Sequence, residues 1–406
     1  MSSGAASSGT SSASASASTG SIESKSSEKA VIVTDEQDFT HENGITRLAK
    51  EIYGDLNVEF FVLSEDTQER ETQISSLRVE IMAGGGPDGY LLSSPTSNMT
   101  FNGEGHPATL FPDVQRTMQS GAFLPLDDYI KESEYLRSED HFAPVFDTGK
   151  TDEGQVVLPI TYYASVFLLD KAQLADPDFT PKTWDELVNC EDTAVLKVVR
   201  NNLYTWCGAG IPRIADYATE KTILTEENLT AQFENLLAMP ASESFDEETA
   251  LIQSGSYAQT DEGMAYYAQN KDTVNALAIP NTEGGVTAFI TSYAAINRNS
   301  PKADEVFRFF ELLFSDEAQI DTETVNDARG TLLMLGNLNS FLTHKNAYLQ
   351  PELLESVQSR VNAVRFYSVM DYTIYDTATT LTWEENPDCA AAAHSVIEAL
   401  QTRLSE

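Results

Sequence analysis

Gln73-Ile74-Ser75-Ser76-Leu77-Arg78-Val79-Glu80-Ile81-Met82-Ala83-Gly84-Gly85-Gly86-Pro87-Asp88 is the stretch whose reading decides the fold. Ile74, Leu77 and Ile81 recur at helical spacing, which predicts an amphipathic helix with that stripe buried. Gly84 to Gly86 tolerate the positive φ at which a helix stops, and Pro87 keeps it from resuming. Gly89 to Leu92 then read as a short strand. The polar loop Ser93-Ser94-Pro95-Thr96-Ser97 therefore falls at a strand's carboxyl end, where open α/β sheets bind their ligands. No Gly-Lys-Ser/Thr follows the glycines, so they are not a phosphate cradle. Nor do they have the spacing of a dinucleotide fingerprint.

Outward from this stretch, Val31 to Val33 read as the first strand. Gly121-Ala122-Phe123-Leu124-Pro125 leads through a turn to Leu126-Asp127-Asp128. Val156 to Tyr163, and Ala164 to Lys171 after it, are apolar nearly throughout, as strands buried on both faces are. In Pro181-Lys182-Thr183-Trp184-Asp185-Glu186-Leu187, Thr183 caps a helix and Glu186 completes a capping box. Ala276 to Pro280 and Val286 to Asn297 read as strands around a loop. Ser300-Pro301 opens a helix whose Val306, Phe309, Phe310 and Leu313 follow the i, i+3, i+4, i+7 pattern. A last helix is capped by Asn386, with Pro387 next, and carries Ala393, Val396, Ile397, Leu400 and Leu404 on one face.

In this order the motifs closely resemble extracellular solute-binding proteins of bacterial ABC importers, in the maltose-binding-protein-like branch that mostly captures sugars and oligosaccharides. The resemblance covers nearly everything after residue 30. It implies an α/β, two-lobed periplasmic-binding-protein-like fold of type II, with discontinuous lobes joined by a hinge. The first lobe takes residues 31–162 plus 280–340, and the second takes 163–279 plus 341–406. Two motifs depart from the family pattern. The Gly-x-Trp expected after Glu262-Gly263-Met264-Ala265 is replaced by Gln269-Asn270-Lys271. The Gly-x-Leu-Pro is altered to Gly330-Thr331-Leu332-Leu333. Both bear on the ligand class more than on the fold.

Composition bounds the rest. A chain of 406 residues with 41 % hydrophobic content supports two domains with real cores. No run approaches the ~20 apolar residues of a membrane helix. A net charge of −38 argues against nucleic acid and against adhesion to anionic lipid. It fits a solvated acidic surface, or attraction of a cationic ligand. Residues 1–30 contain 13 serines among Gly, Ala and Thr and read as a disordered linker. No signal peptide precedes that linker. By resemblance such a linker follows a lipid-modified cysteine on the surface of a Gram-positive-type bacterium, although no such cysteine stands here. Cys190, Cys207 and Cys389 form no Cys-x-x-Cys and read as free thiols, with a Cys190–Cys207 bridge as the alternative. The histidines lack a His-Glu-x-x-His, so no metal and no cofactor is expected.

Candidate ligand-binding residues come from the predicted strand ends and from the resemblance. Ser93, Ser94 and Thr96 line the loop after the first motif's strand, or form an ordinary polar turn. Tyr162 and Tyr163 alternate faces on one strand, so one faces the cleft while the other packs. Tyr163 matches a ligand-facing position of the family. Trp206 has the context of an aromatic platform in the second lobe, or is a core tryptophan. Tyr266 and Tyr267 follow a predicted Gly-Met-Ala strand, and one of them stands in for the missing tryptophan or packs in the core. Ser292 and Tyr293 reach toward the cleft floor. Tyr372 and Tyr375 share a helix face, and Asp35 and Glu36 follow the first strand.

The expected activity is capture by hinge closure, with no bond made or broken. The expected ligand is a small molecule, a sugar or oligosaccharide, held by aromatic faces and hydroxyl-bonding side chains. The expected partner is the ABC permease, and the protein is expected to be a monomer. A cationic solute such as a polyamine or peptide is the alternative. A secreted carbohydrate-active enzyme with two carboxylates is a weaker one, since no nucleophile elbow or zinc motif supports it.

Overall fold

A computed structural model of the chain describes residues 28–35, 44–54, 57–94, 108–137, 141–202, 208–241, 261–315, 335–336 and 351–405. Three strands open it: β1 (Ala30–Thr34), β2 (Val58–Val62) and β3 (Gly89–Ser93). A small hairpin, β4 (Lys150–Thr151) and β5 (Gly154–Gln155), precedes β6 (Leu158–Ala164) and β7 (Val166–Asp170), which a single residue separates. A second small hairpin, β8 (Ala215–Asp216) and β9 (Lys221–Thr222), is followed by β10 (Val274–Ala278) and β11 (Val286–Ile296). Next come β12 (Leu335–Gly336) and β13 (Val361–Phe366).

The main sheet runs β12-β6-β11-β3-β1-β2, and β13 also pairs with β11. β1 is parallel to β2 and β3, while β11 is antiparallel to β3 and β6. β11 is long enough to serve two partners in succession. Its Val286–Ile290 half bonds β13 in parallel, and its Ser292–Ile296 half bonds β3. Every residue of β11 is buried, as a mostly apolar strand covered on both faces should be.

The opening motif is built into this sheet by named contacts. Helix Thr67–Met82 is capped by Asp66, whose carboxylate accepts from Glu69 N at 2.9 Å. Ile74 and Leu77 are buried, and Ile81 packs partly covered beside them. Gly84 and Gly86 take φ of 79° and 91°, which glycine adopts without strain. Asp88 is buried and accepts from Val31 N at 2.9 Å and Ser300 Oγ at 2.7 Å, tying the turn to both neighbours. Gly89 has a steric reason: a Cβ there would stand 2.6 Å from Val306 Cγ1. Helix Ala303–Leu312 can therefore lie directly on β3.

The sheet buries one face under that helix, where Ile32, Leu91, Ile160 and Ala294 meet Val306, Phe309 and Phe310. Its other face packs Val33, Tyr90, Leu92 and Tyr293. A separate core gathers Phe167, Trp184, Phe233 and Leu236 with Met370, Ile374, Val396 and Leu400. β7 and β10 lie between the lobes: Val166, Leu168, Val274 and Ala278 pack with the main sheet, and Phe167, Leu169 and Leu277 with the second core. Among the described residues the chain passes between the lobes three times: at Ser165 between β6 and β7, at 279–285 between β10 and β11, and at Tyr367–Ser368 after β13. Ile279 N donates to Ser165 O at 2.9 Å, so the first two crossings lie side by side.

Several expectations need correction. Gly263-Met264-Ala265, expected as a strand ahead of Tyr266 and Tyr267, lies with both tyrosines in helix Asp261–Asn270. That segment has no β-branched residue to favour a strand. The helix after Ser300-Pro301 starts at Ala303, because Ser300 Oγ accepts from Lys302 N and forms a local turn first. The last helix, Cys389–Ser405, has its opening turn bonded by Asp388, which accepts from Ala391 N, and not by Asn386. Thr183 caps its helix as expected, but Glu186 reaches back to Lys182 N, one residue before the cap. β13 and the helix Pro351–Gln358 before it sit with the main sheet, whereas a boundary at 341 assigned them to the second lobe.

Candidate functional site

The strands carry a polar strip across their middle and carboxyl ends. Asp35 follows β1, and its carboxylate accepts from Ser93 N at 3.2 Å and faces Arg70 at 3.4 Å. Burial pushes the Asp35 carboxyl up from its ordinary value, and the Arg70 guanidinium opposes that rise. Arg70 is itself fixed by donating Nε–H to Ala108 O at 2.8 Å. Beside Ser93 in the ladder stands Ser292, followed by Thr161 on β6. The Thr161 hydroxyl is 2.7 Å from Thr291 Oγ1 and 2.5 Å from Ser292 Oγ. These hydroxyls satisfy one another within an otherwise apolar sheet.

At the crossings the polar strip meets an aromatic group. The Tyr163 ring stacks on Phe289 at 5.2 Å, and Phe289 meets Tyr367 edge-on at 6.3 Å. Ser94 N donates to Thr291 O, and Ser94 Oγ donates to Tyr367 O at 3.4 Å. The Arg365 guanidinium also lies over the Phe289 ring at 4.7 Å and reaches Asp371 at 2.5 Å. Its Nη2 also donates to Ile211 O at 3.1 Å. Arg365 belongs to β13 and Asp371 to helix Val369–Trp383 of the second lobe, so this buried pair spans the third crossing. Ser368 caps that helix in a capping box with Asp371.

Further contacts join the lobes. The Tyr217 hydroxyl of the second lobe donates to Asp113 of the first. Burial and the nearby Asp371 push the Asp113 carboxyl up to about 6, although bonds from Arg116 N and Tyr217 hold it down. Val369 N donates to Pro112 O at 3.1 Å, and Arg116 donates to Arg403 O at 2.6 Å.

The expected site residues are distributed as follows. Asp35, Ser93, Ser94, Ser292 and Tyr293 are brought together along the strip, all buried or nearly so. Tyr293 packs edge-on against Phe366 at 5.5 Å. Tyr163 is 7 % exposed and fills the junction between the lobes, with its ring faces packed. Tyr162 packs on the opposite side and accepts from Gln358 Nε2, so the two rings do alternate. Tyr267 is half-buried against the main-sheet core. Tyr372 and Tyr375 share a helix face with centroids 6.1 Å apart, on the second lobe. Thr96, Trp206 and Glu36 lie outside the described residues.

Sequence reading missed Asp113, Tyr217, Arg365 and Asp371. Only Ser368-Val369-Met370-Asp371 left a usable trace, as a capping box ahead of a helix. Cys190 and Cys389 are free thiols, while Cys207 lies outside the described residues. Among the described residues no cluster of His, Cys, Asp and Glu could hold a metal ion, and no helix is long and apolar enough to cross a membrane.

Residues 42–320 match the family model described as bacterial extracellular solute-binding protein. Among curated protein sequences none matches the chain. Solved structures with the same fold include the sugar-binding protein MalE of Xanthomonas citri, at 12 % identity and a TM-score of 0.61, covering 93 % of this chain and 97 % of that one. An extracellular solute-binding protein family 1 member from Alicyclobacillus acidocaldarius aligns at 12 % identity and TM-score 0.55, covering 93 % and 98 %. The cyclic α-maltosyl-1,6-maltose binding protein of Arthrobacter globiformis aligns at 14 % identity and TM-score 0.51, covering 92 % and 99 %.

Proposed function

This chain belongs to the bacterial extracellular solute-binding proteins, and on that premise we propose that it captures a sugar or oligosaccharide between its lobes and delivers it to an ABC permease. The observation that carries the reading is the triple crossing. A second core stands beside those of the main sheet, and among the described residues the chain links the two at Ser165, 279–285 and Tyr367–Ser368. Such a joint lets two rigid bodies rotate while each keeps its core intact. A ligand touching both would interact more strongly with the closed arrangement and shift the population toward it.

The neighbours named for sugars favour a saccharide. So do the hydroxyl-rich strip and the tyrosines beside it, since hydroxyl groups pair with serine and threonine while rings cover sugar faces. The two lobes act as a monomer, and no bond is made or broken. In the cell the protein would be held at the surface by a lipid anchor ahead of the Ser-rich segment 1–30. The net charge of −38 favours one second reading, a cationic solute.

Thermal unfolding against glucose, maltose, maltotriose, xylobiose and spermidine separates the readings. The saccharide reading predicts a melting temperature that climbs with saccharide concentration. A rise with spermidine alone would replace the sugar by an amine. Product formation from maltotriose would show that the protein is an enzyme.

A further inference from the structure

Pro112 to Arg116, at the start of helix Val114–Gln119 in the first lobe, touch the second lobe at three separate places. Val369 N donates to Pro112 O at 3.1 Å, the Tyr217 hydroxyl donates to Asp113, and Arg116 Nη1 donates to Arg403 O at 2.6 Å. Tyr217 stands in the turn between β8 and β9, and Arg403 in the last turn of helix Cys389–Ser405. These two receivers belong to one unit. Gln401 of that helix donates to Glu220 O at 3.0 Å and accepts from Thr222 N at 3.4 Å, which ties the hairpin to it.

The Asp113 carboxylate has two tasks. It caps its own helix by accepting from Arg116 N at 3.0 Å, and it meets Tyr217 across the joint. Among the described residues, the titratable and charged groups facing it are Tyr217 of the hairpin, Asp371 of helix Val369–Trp383 and Arg116 of its own helix. Asp371 is itself paired with Arg365 of β13. Each lobe thus brings one carboxylate to the joint. Burial disfavours a charge on Asp113, and Asp371 adds to that, while the bonds from Arg116 N and Tyr217 act the other way. The balance sets the Asp113 carboxyl at about 6.

We propose that Asp113 is a proton-operated latch: carrying its proton it holds the lobes in the packed arrangement, and losing the proton lets them part. Parting the lobes returns the carboxyl to water and takes it away from Asp371, so its hold on the proton relaxes toward the ordinary 3.8. The packed arrangement therefore binds the proton more tightly, and rising pH favours the parted one. With those two values, going from pH 5 to pH 7.5 raises the ratio of parted to packed lobes ~10-fold. The latch rests on the interlobe reading only in needing lobes that move, and it operates whatever ligand they hold.

Hydrogen exchange at the Val369 amide tests the latch, because its bond to Pro112 O breaks when the lobes part. Exchange is followed residue by residue on the ligand-free full chain between pH 5 and pH 7.5, relative to the rate of an unstructured peptide at each pH. Protection of Val369 should fall ~10-fold over that range, while amides within β1 and β3 keep theirs. Asp113→Asn still caps the helix but cannot ionise, so its Val369 protection should stay constant. Tyr217→Phe removes a bond that holds the carboxyl down, so the fall should continue to a higher pH. No fall in the unsubstituted protein, an equal fall in Asp113→Asn, or an equal fall in β1 and β3 would overturn the latch. So would a fall that ends at the same or a lower pH in Tyr217→Phe. Any of these results would leave the saccharide reading standing, since that is decided by ligand-dependent melting at one pH.

Discussion

The Arg365–Asp371 pair makes a quantitative test of how the lobes are joined. Its side chains are 7 % and 2 % exposed, so water screens neither charge. Asp371→Asn keeps the shape, and the amide oxygen can still accept from Ser368 N. It leaves the Arg365 charge buried. Removing one partner of a buried pair typically costs about 3–5 kcal/mol. Here the carbonyls of Gly208 and Ile211 and the Phe289 ring still face the guanidinium. The expected loss is therefore at the low end, about 3 kcal/mol. Arg365→Met strands the carboxylate instead and should cost a similar amount. The double variant Arg365→Met/Asp371→Leu leaves no buried charge, so its loss should fall about 2 kcal/mol or more short of the sum of the single losses. Urea unfolding of all four proteins at pH 7 measures this cycle. Additive losses, or single-variant losses below about 1 kcal/mol, would show that the pair does not couple the lobes.

Three further predictions follow from single contacts. Gly89→Val should destabilise by about 1–3 kcal/mol in the same urea assay, because its Cβ would overlap Val306 Cγ1. Tyr163→Ala should cost about 3 kcal/mol, since its ring is packed between the lobes, whereas Tyr163→Phe should be nearly neutral. Asp113 binds its proton more tightly folded, at about 6, than at the ordinary 3.8. Its contribution is complete below pH 3.8 and is lost as pH rises through 6. Urea midpoints at pH 4, 5, 6 and 7 should therefore fall less steeply, or rise more steeply, in Asp113→Asn than in the unsubstituted protein. Identical pH profiles would remove Asp113 from the lobe contact.

The fold was legible wherever a local rule and the tertiary environment agreed. The helix ending in Gly84-Gly85-Gly86-Pro87 has a stop chemistry that no neighbour overrides, and β11 is mostly apolar and buried along its whole length. Boundaries moved where a nearby side chain offered a competing bond, as Ser300 does to Lys302 N. Gly263-Met264-Ala265 reads as a strand and is helical instead, because residues at 261–270 carry no decisive periodicity. The strip was partly legible, since Asp35 and Ser93 lie at or near a predicted strand end and Ser292 lies within a predicted strand. The contacts that join the lobes were not legible. Asp113 meets Tyr217, and Arg365 meets Asp371, only after the chain has crossed between cores. Sequence spacing holds no trace of those encounters. Tyr163 shows the same limit: alternation along the strand gives its face, but not what covers it.

Small-angle X-ray scattering with calorimetry on the same samples tests lobe closure most directly. The saccharide that binds should lower the radius of gyration, and that change should saturate at the concentration where the heat of binding does. Saturating heat with an unchanged scattering profile would mean that the ligand is held without the lobes moving, contrary to the clamp.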